Sequence, residues 1–350
     1  MHPLVLSILV ITHNQRELLK RCLDSVLGQK LNVPFEVIVS DDRSDDDTAE
    51  YISELQNQIT NGELQITNLT QLIYTRCNSN DCQPANVSER CGWNKLNAYF
   101  HAQGEYFVNI DADDYLKSND IYQAQLDMLD AHPECSMCMQ DVWQVYEGED
   151  LASGKSWPSY GRFEDGHILP RLTSISDCRA LNQCYVIRRH PLDDMKSLYG
   201  KYFDDTIITF HHLQYGPVVF IKRADYVWVK YPTSITSTLT GDDDIATHAL
   251  LPLHHVRFIP SLFDTFMEDG IHSLVHLFKV LSSQQYHMNL SDRTLNEYRA
   301  TKGYIYRALC RPKPTLYDQI KLRYIRVVLL LTMRYGWHNY KYLYNLLVGK

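Results

Sequence analysis

The sequence predicts an α/β fold with a largely parallel sheet, followed by a helical C-terminal region. Three observations carry this. Leu4–Ile11 is a continuous apolar run, as in a strand buried on both faces of a parallel sheet. Strand-like runs alternate with segments of helical period. Polar clusters close three of the runs: Thr12-His13-Asn14, Asp41-Asp42 and Asp111-Ala112-Asp113. Open α/β sheets bind ligands at the carboxyl ends of their strands.

The elements follow in order. After Leu4–Ile11, the segment Glu17–Leu27 has apolar residues at Leu18, Leu19, Cys22, Leu23, Val26 and Leu27, a helical spacing. Phe35–Val39 is a second apolar strand, and Asp45–Thr48 caps a helix running to about Gln58. Leu72–Tyr74 is a third strand, Trp93–Gln103 a helix, and Tyr106–Ile110 a fourth strand. Leu116–Leu129 reads as a helix ended by His132-Pro133, and Ser136–Val145 as one further strand. Glu147–Arg171, polar and Gly-rich with Trp157, Tyr160 and Phe163, reads as a loop. Its aromatics suit either stacking on sugar rings or packing on the sheet. Ala180–Arg188, Val218–Ile221 and Tyr226–Val229 are later strands. From Asp242 the pattern is helical, with a break at Pro312-Lys313-Pro314.

The chain has 350 residues, 45% of them hydrophobic, enough to bury a sizeable core. Its net charge of −8 argues against bulk attraction to nucleic acid. Met1–Pro3 lacks a basic leader region, and no apolar run reaches the ~18 residues a membrane span needs. A cytoplasmic protein is expected. The nine cysteines fit a reducing compartment. Cys135 and Cys138, with Cys77 and Cys82, allow a zinc reading, whereas Cys135–Val142 as a buried strand makes them ordinary core thiols.

The chemistry concentrates in Gly104–Tyr115, GEYFVNIDADDY, where Asp111, Asp113 and Asp114 follow a short strand. Like charges this close repel, and a hard divalent ion, Mn²⁺ or Mg²⁺, relieves the repulsion. Mg²⁺ is usually held by one or two carboxylates together with substrate phosphates. An Asp-x-Asp at a strand end therefore suggests a nucleotide-diphosphate site. The other reading is a charged turn in which Asp113 or Asp114 caps a helix starting near Leu116. Neither G-x-G-x-x-G nor G-x-x-x-x-G-K-[ST] occurs, so phosphates would need another anchor.

Taken together, SILVITHNQRELLKRCLDSVLGQ, FEVIVSDDRSDDDT and NKLNAYFHAQGEYFVNIDADDY resemble the family 2 glycosyltransferases of the GT-A fold. The resemblance covers about Leu4 to His132, and more weakly to Thr236. It implies a nucleotide-sugar donor, most often UDP-linked, and inverting transfer to a hydroxyl of a glycan or lipid-linked glycan. Carried over by position, it places Ile11, Thr12 and His13 around the nucleobase. Asp42 would accept a hydrogen bond from the base, and Asn94 would lie near the donor. Asp111 and Asp113 would contact the ribose and the metal-diphosphate, with Asp114 close by. Without the family, Asp41 and Asp42 read equally as turn formers. Tyr202–Thr206 resembles the family's Glu-Asp motif at a helix start, which makes Asp205 the catalytic base and Asp204 its neighbour; the other reading is a helix cap.

The chain departs from the family after Val229. Lys230-Tyr231-Pro232-Thr233 stands where many members have Arg and His, and His248 is a remote substitute for the missing ligand. The expected division is a catalytic domain over residues 1–240 and a helical region over 241–350. Residues 316–349 mix Lys321, Arg323, Arg326, Arg334 and Lys341 with Tyr and Leu. That suits an anionic membrane face, the catalytic domain or a second subunit. Two other functions stay open: a sugar-phosphate nucleotidyltransferase, and a non-catalytic partner in glycan assembly.

Overall fold

The structure is a computed structural model and describes residues 4–77, 87–157, 163–169, 184–190 and 211–234. The chain divides into two units, Met1–Thr238 and Leu239–Lys350. Every described residue belongs to the first. The proposed C-terminal helices, His248 and the Asp204-Asp205 pair lie outside the described residues.

The first half alternates as its sequence demands. In chain order come β1 (Leu6–Thr12), α1 (Arg16–Leu27), β2 (Phe35–Asp41), α2 (Thr48–Thr60), β3 (Leu69–Arg76), α3 (Val87–His101) and β4 (Tyr106–Asp111). These four strands are mutually parallel in the order β3-β2-β1-β4. Every residue of β1 and β2 is buried, which is why both are apolar without alternation. Helix α1 buries Leu19, Cys22, Leu23 and Val26, a stripe at 3- and 4-residue spacing. Asp46 joins the two helix starts, accepting from the N–H of Thr48 and of Arg16 at 3.1 Å each. Asp47, at the N-cap position of α2, makes no capping bond with its side chain.

After β4 the chain builds a second sheet. The elements are β5 (Tyr115–Leu116), α4 (Ile121–Ala131), β6 (Met137–Met139), β7 (Val142–Tyr146), β8 (Lys155–Trp157), β9 (His167–Leu169), β10 (Tyr185–Arg188), β11 (Val218–Phe220) and β12 (Tyr226–Lys230). Strands β10, β6, β11 and β9 extend the first sheet to eight strands, while β5-β12-β7-β8 form a separate four-stranded sheet.

Three expectations are corrected here. Leu116 is not helical: Tyr115–Leu116 pairs with Tyr226–Val227, and the helix starts at Ile121. Ser136–Val145 is two strands in different sheets. The break falls at Gln140, whose buried Oε1 accepts from the Asp225 N–H at 2.8 Å, while Asp141 N–H donates to the Arg223 carbonyl at 2.8 Å. The segment read as a loop carries β8 and β9, and Phe163 is buried against the rings of His167 and Phe220. It packs on the sheet.

Gly104 marks a close approach ahead of β4. A Cβ there would lie 2.7 Å from the Ser7 backbone nitrogen and 2.8 Å from the Tyr106 carbonyl oxygen. Both are backbone atoms, so the strand itself must shift. Gly104→Ala is expected to destabilise the fold by about 1–3 kcal/mol, the usual cost of overpacking. Urea denaturation checks this, and an unchanged midpoint would contradict the packing.

Candidate active site

Backbone pairing gathers three strand ends. Ile11 lies opposite Asp111, and Thr12 opposite Asp41. The pairing runs on past the strands: Ala112 N–H donates to the Ile11 carbonyl at 2.9 Å, and Asp42 N–H to the Thr12 carbonyl at 3.0 Å. The connections run outward from β1 in one direction and return across it to β4. The carboxyl end of β1 is therefore the topological switch point, where such sheets form a ligand crevice.

Ile11, Thr12, His13 and Asp42 come together there. His13 Nδ1 lies 2.8 Å from the Asp42 carbonyl oxygen, with the ring otherwise exposed. The Asp42 side chain is 7% exposed and its Oδ2 pairs with Arg90 Nη2 at 2.7 Å. Among the described residues its Oδ1 is buried without a partner, as is Thr12 Oγ1. Burial raises the Asp42 carboxyl above its ordinary range, and Arg90 opposes that shift. An unpaired buried acceptor costs stability, so it points to a donor supplied by something that binds.

The neighbouring Asp41 is a structural residue. Its Oδ1 accepts from Ser44 N–H at 2.9 Å and Ser44 Oγ at 2.6 Å, and its Oδ2 from Tyr74 Oη at 2.6 Å. The loop it organises holds Arg43 at φ 58, a left-handed backbone uncommon for a residue with a side chain. Asn94 also braces the fold. Its Oδ1 accepts from Ser40 Oγ at 2.6 Å, and its Nδ2 donates to the carbonyls of Thr12 and Ser40 at 3.1 and 3.0 Å. It lies beside the crevice with both ends of its amide engaged.

The carboxylates after β4 do not act as a trio. Asp111 is paired with Lys95, whose Nζ is 3.1 Å from Oδ1. Asp113 has its carboxyl pushed up to about 6, first by burial and then by the charge of Asp111. Asp114 turns away into the small sheet. Tyr226 Oη donates to its Oδ2 and Val229 N–H to its Oδ1, the latter at 2.9 Å. Only 3% exposed, with both oxygens taken, Asp114 is an anchor for β12 where a metal ligand or helix cap was expected.

Among the described residues, no group of three or more His, Cys, Asp or Glu is gathered to cage a cation. Asp111 and Asp113 fit the open kind of site, in which two carboxylates hold a hard ion and phosphate oxygens supply further ligands. Cys77 is buried, and Cys135 and Cys138 are buried free thiols. Burial raises the Cys138 thiol well above its ordinary range, which suits a core residue and opposes a zinc thiolate. Cys82 lies outside the described residues. Lys230, at the end of β12, holds its ammonium 4.7 Å from the centre of the Trp228 ring.

Sequence reasoning passed over Arg21, Arg90 and Lys95. Arg90, Asn94, Asn97 and His101 recur at helical spacing, and Asn97 Nδ2 donates to Ser40 Oγ at 2.8 Å. A polar stripe on a helix that must cover a sheet was the available signal.

A largely parallel sheet with the buried Asp42 Oδ1 left without a partner among the described residues at its switch point is an α/β fold with a ligand crevice at its strand ends. Residues 7–189 match the family described as Glycosyl transferase family 2, more than half of the chain, and the protein belongs to that family. Uncharacterized protein Rv1520 of Mycobacterium tuberculosis is 31% identical over 156 residues, 44% of this chain and 39% of the relative. Mb1547 of Mycobacterium bovis matches with the same figures. The matched stretch therefore spans about two fifths of these relatives' own length. Among solved structures, TarS 1-349 of S. aureus has a TM-score of 0.54 at 18% identity, covering 87% of this chain and 80% of that one. The same protein in complex with UDP-GlcNAc has a TM-score of 0.56 at 17% identity, covering 87% and 81%. At this identity the likeness is one of fold, and the fold is GT-A-like.

Proposed function

We propose that this protein transfers a sugar from a nucleotide-diphosphate donor, a UDP-sugar, to a hydroxyl of a glycan or lipid-linked glycan, with inversion at the anomeric carbon. The observation that carries this is the set of acceptors at the two strand ends flanking β1: the Asp42 oxygen without a partner among the described residues after β2, then Asp111 and Asp113 at the end of β4. Family membership supports transfer, and the UDP-GlcNAc bound by TarS supports the donor class. Asp42 Oδ1 accepts from the base, with Ile11, Thr12 and His13 lining the pocket. Asp111 and Asp113 hold the diphosphate end through Mn²⁺ or Mg²⁺. The ion, when bound, stabilises the charge that develops on the departing diphosphate. Asp205 takes the proton of the attacking hydroxyl, and Asp204 helps to place it.

Calorimetry with UDP, with and without Mn²⁺, tests the reading directly. Tight binding that needs the ion is expected. Binding of equal strength in excess EDTA would refute the metal role, and no binding of any nucleotide diphosphate would refute the function.

The basic, apolar residues 316–349 are proposed to rest on an anionic membrane at its cytoplasmic face. Among the described residues no helix is long and apolar enough to cross one. Deleting the chain from Leu316 is expected to reduce co-sedimentation with anionic vesicles while sparing donor hydrolysis. Equal sedimentation of the two proteins would remove the membrane contact from the proposal.

A further inference from the structure

Arg21 lies on α1, far in sequence from every carboxylate of the site. Its Nη2 donates to the backbone carbonyl of Asp113 at 2.6 Å and to the Tyr231 hydroxyl at 3.1 Å. The guanidinium carbon sits 4.6 Å from the centre of the Tyr115 ring. Its Nε is buried with no hydrogen-bond partner among the described residues. One side chain thus joins α1, the carboxylate turn and the residue that follows β12.

Such a group is a poor choice for stability alone. A buried donor such as its Nε, left unpaired among the described residues, costs free energy. Its contacts fall on the turn that carries the two site carboxylates. From the other side the same turn is held by Asp114, through Tyr226 Oη and the Val229 N–H. Tyr231 is itself packed against Val145, Val227 and Val229. The turn is therefore clamped between a helix and the small sheet.

We propose that Arg21 is a positioning residue for the Asp111–Asp113 pair, acting through the Asp113 carbonyl and the Tyr231 hydroxyl without touching the ligand. Two like charges on a short turn repel, and the turn relaxes by rotating them apart. Fixing the Asp113 carbonyl blocks that rotation and keeps both carboxylates facing one volume. Outer-shell partners of metal-ligating groups typically set affinity by about 10–100-fold. The inference rests on the metal-diphosphate role proposed above.

The experiment is a Mn²⁺ titration of UDP binding by calorimetry on the full chain. The proteins are wild type, Arg21→Gln, Arg21→Lys and Tyr231→Phe, each with a melting curve to establish the folded fraction. Arg21→Gln is expected to raise the half-saturating Mn²⁺ concentration by about 10–100-fold. Arg21→Lys should raise it about tenfold, because an ammonium lacks the planar fork of donors. Tyr231→Phe keeps the packing and loses one hydrogen bond, so about threefold is expected. Uridine, which has no diphosphate, should bind all four proteins alike. A merely structural Arg21 would lower the melting temperature and leave the Mn²⁺ dependence of the folded protein unchanged. That result, with Mn²⁺-dependent binding intact in the wild type, overturns the inference. Absence of a Mn²⁺ effect in the wild type overturns the metal role itself, and this inference with it. If Arg21→Gln fails to fold, Tyr231→Phe decides.

Discussion

Asp113→Asn is expected to remove most transfer activity and, in the metal-free protein, to make the fold more stable. The activity loss follows from the loss of one of the two carboxylates proposed to hold the diphosphate end. Charge stabilisation of this kind is worth several kcal/mol, so a fall of at least about 10²-fold is expected. The gain in stability follows from burial. The Asp113 carboxyl is held at about 6 in the folded chain, against an ordinary 3.8. Its raised value means that the fold favours the protonated form. Between about pH 4 and 6 the folded state binds more protons than the unfolded state, so stability falls as pH rises through that window. Above about pH 6 the cost is complete, at roughly 3 kcal/mol for two pH units. Asparagine carries no charge and escapes this cost. Urea denaturation in EDTA should therefore show the variant more stable at pH 7.5, with the difference vanishing near pH 4. Added Mn²⁺ and UDP should stabilise the wild type more than the variant, because only a ligand that binds the native state shifts the equilibrium. A variant less stable than wild type at pH 7.5 would show that Asp113 supports the fold.

Asp205→Asn is expected to slow transfer by about 10²–10⁴-fold, the usual contribution of a general base. The argument comes from the sequence, where Asp205 follows Asp204 in a motif resembling the family's Glu-Asp pair. The attacking hydroxyl must lose its proton as the new bond forms, and asparagine of nearly equal size cannot accept it. The donor is proposed to be held by Asp42, Asp111 and Asp113, so donor affinity should be nearly unchanged. Asp204→Asn should cost less if Asp204 only positions the acceptor. UDP-sugar affinity and transfer rate, measured on both variants, separate these roles. Near-normal transfer in Asp205→Asn would move the base to another residue. Loss of donor binding in the same variant would make Asp205 part of the donor site.

The sheet was legible because β1, β2 and β4 are buried on both faces, and such strands have no choice but continuous apolar sequence. The polar groups that close those strands were legible for the same reason, since polar residues directly after such runs stand out. What failed was decided by contacts distant in the chain. Leu116 begins a helical pattern, yet Tyr115–Leu116 pairs with β12 and is drawn into a strand. Asp114 looked like a third ligand beside Asp113, and only a tyrosine 112 residues later claims its oxygen. Ser136–Val145 is apolar enough for one strand, and the sheet change at Gln140 depends on Asp225 and Arg223. Arg21 and Lys95 were passed over because their partners are a carbonyl and a carboxylate brought near by folding.

Asn94 has a consequence for how the site comes into being. The groups proposed to meet the base all lie within the first 42 residues, yet Asn94, which ties the Thr12 and Ser40 carbonyls together, comes 52 residues after Asp42. During synthesis the strands bearing the pocket emerge first, and their ends gain this tie only when α3 has emerged and docked. A nascent chain ending before α3 has a sheet edge and a carboxylate without a finished recess between them. Once α3 is seated, the recess is set by an amide whose bonds are all internal. A ligand then meets walls already at their final spacing, and little of its binding free energy is spent on ordering them.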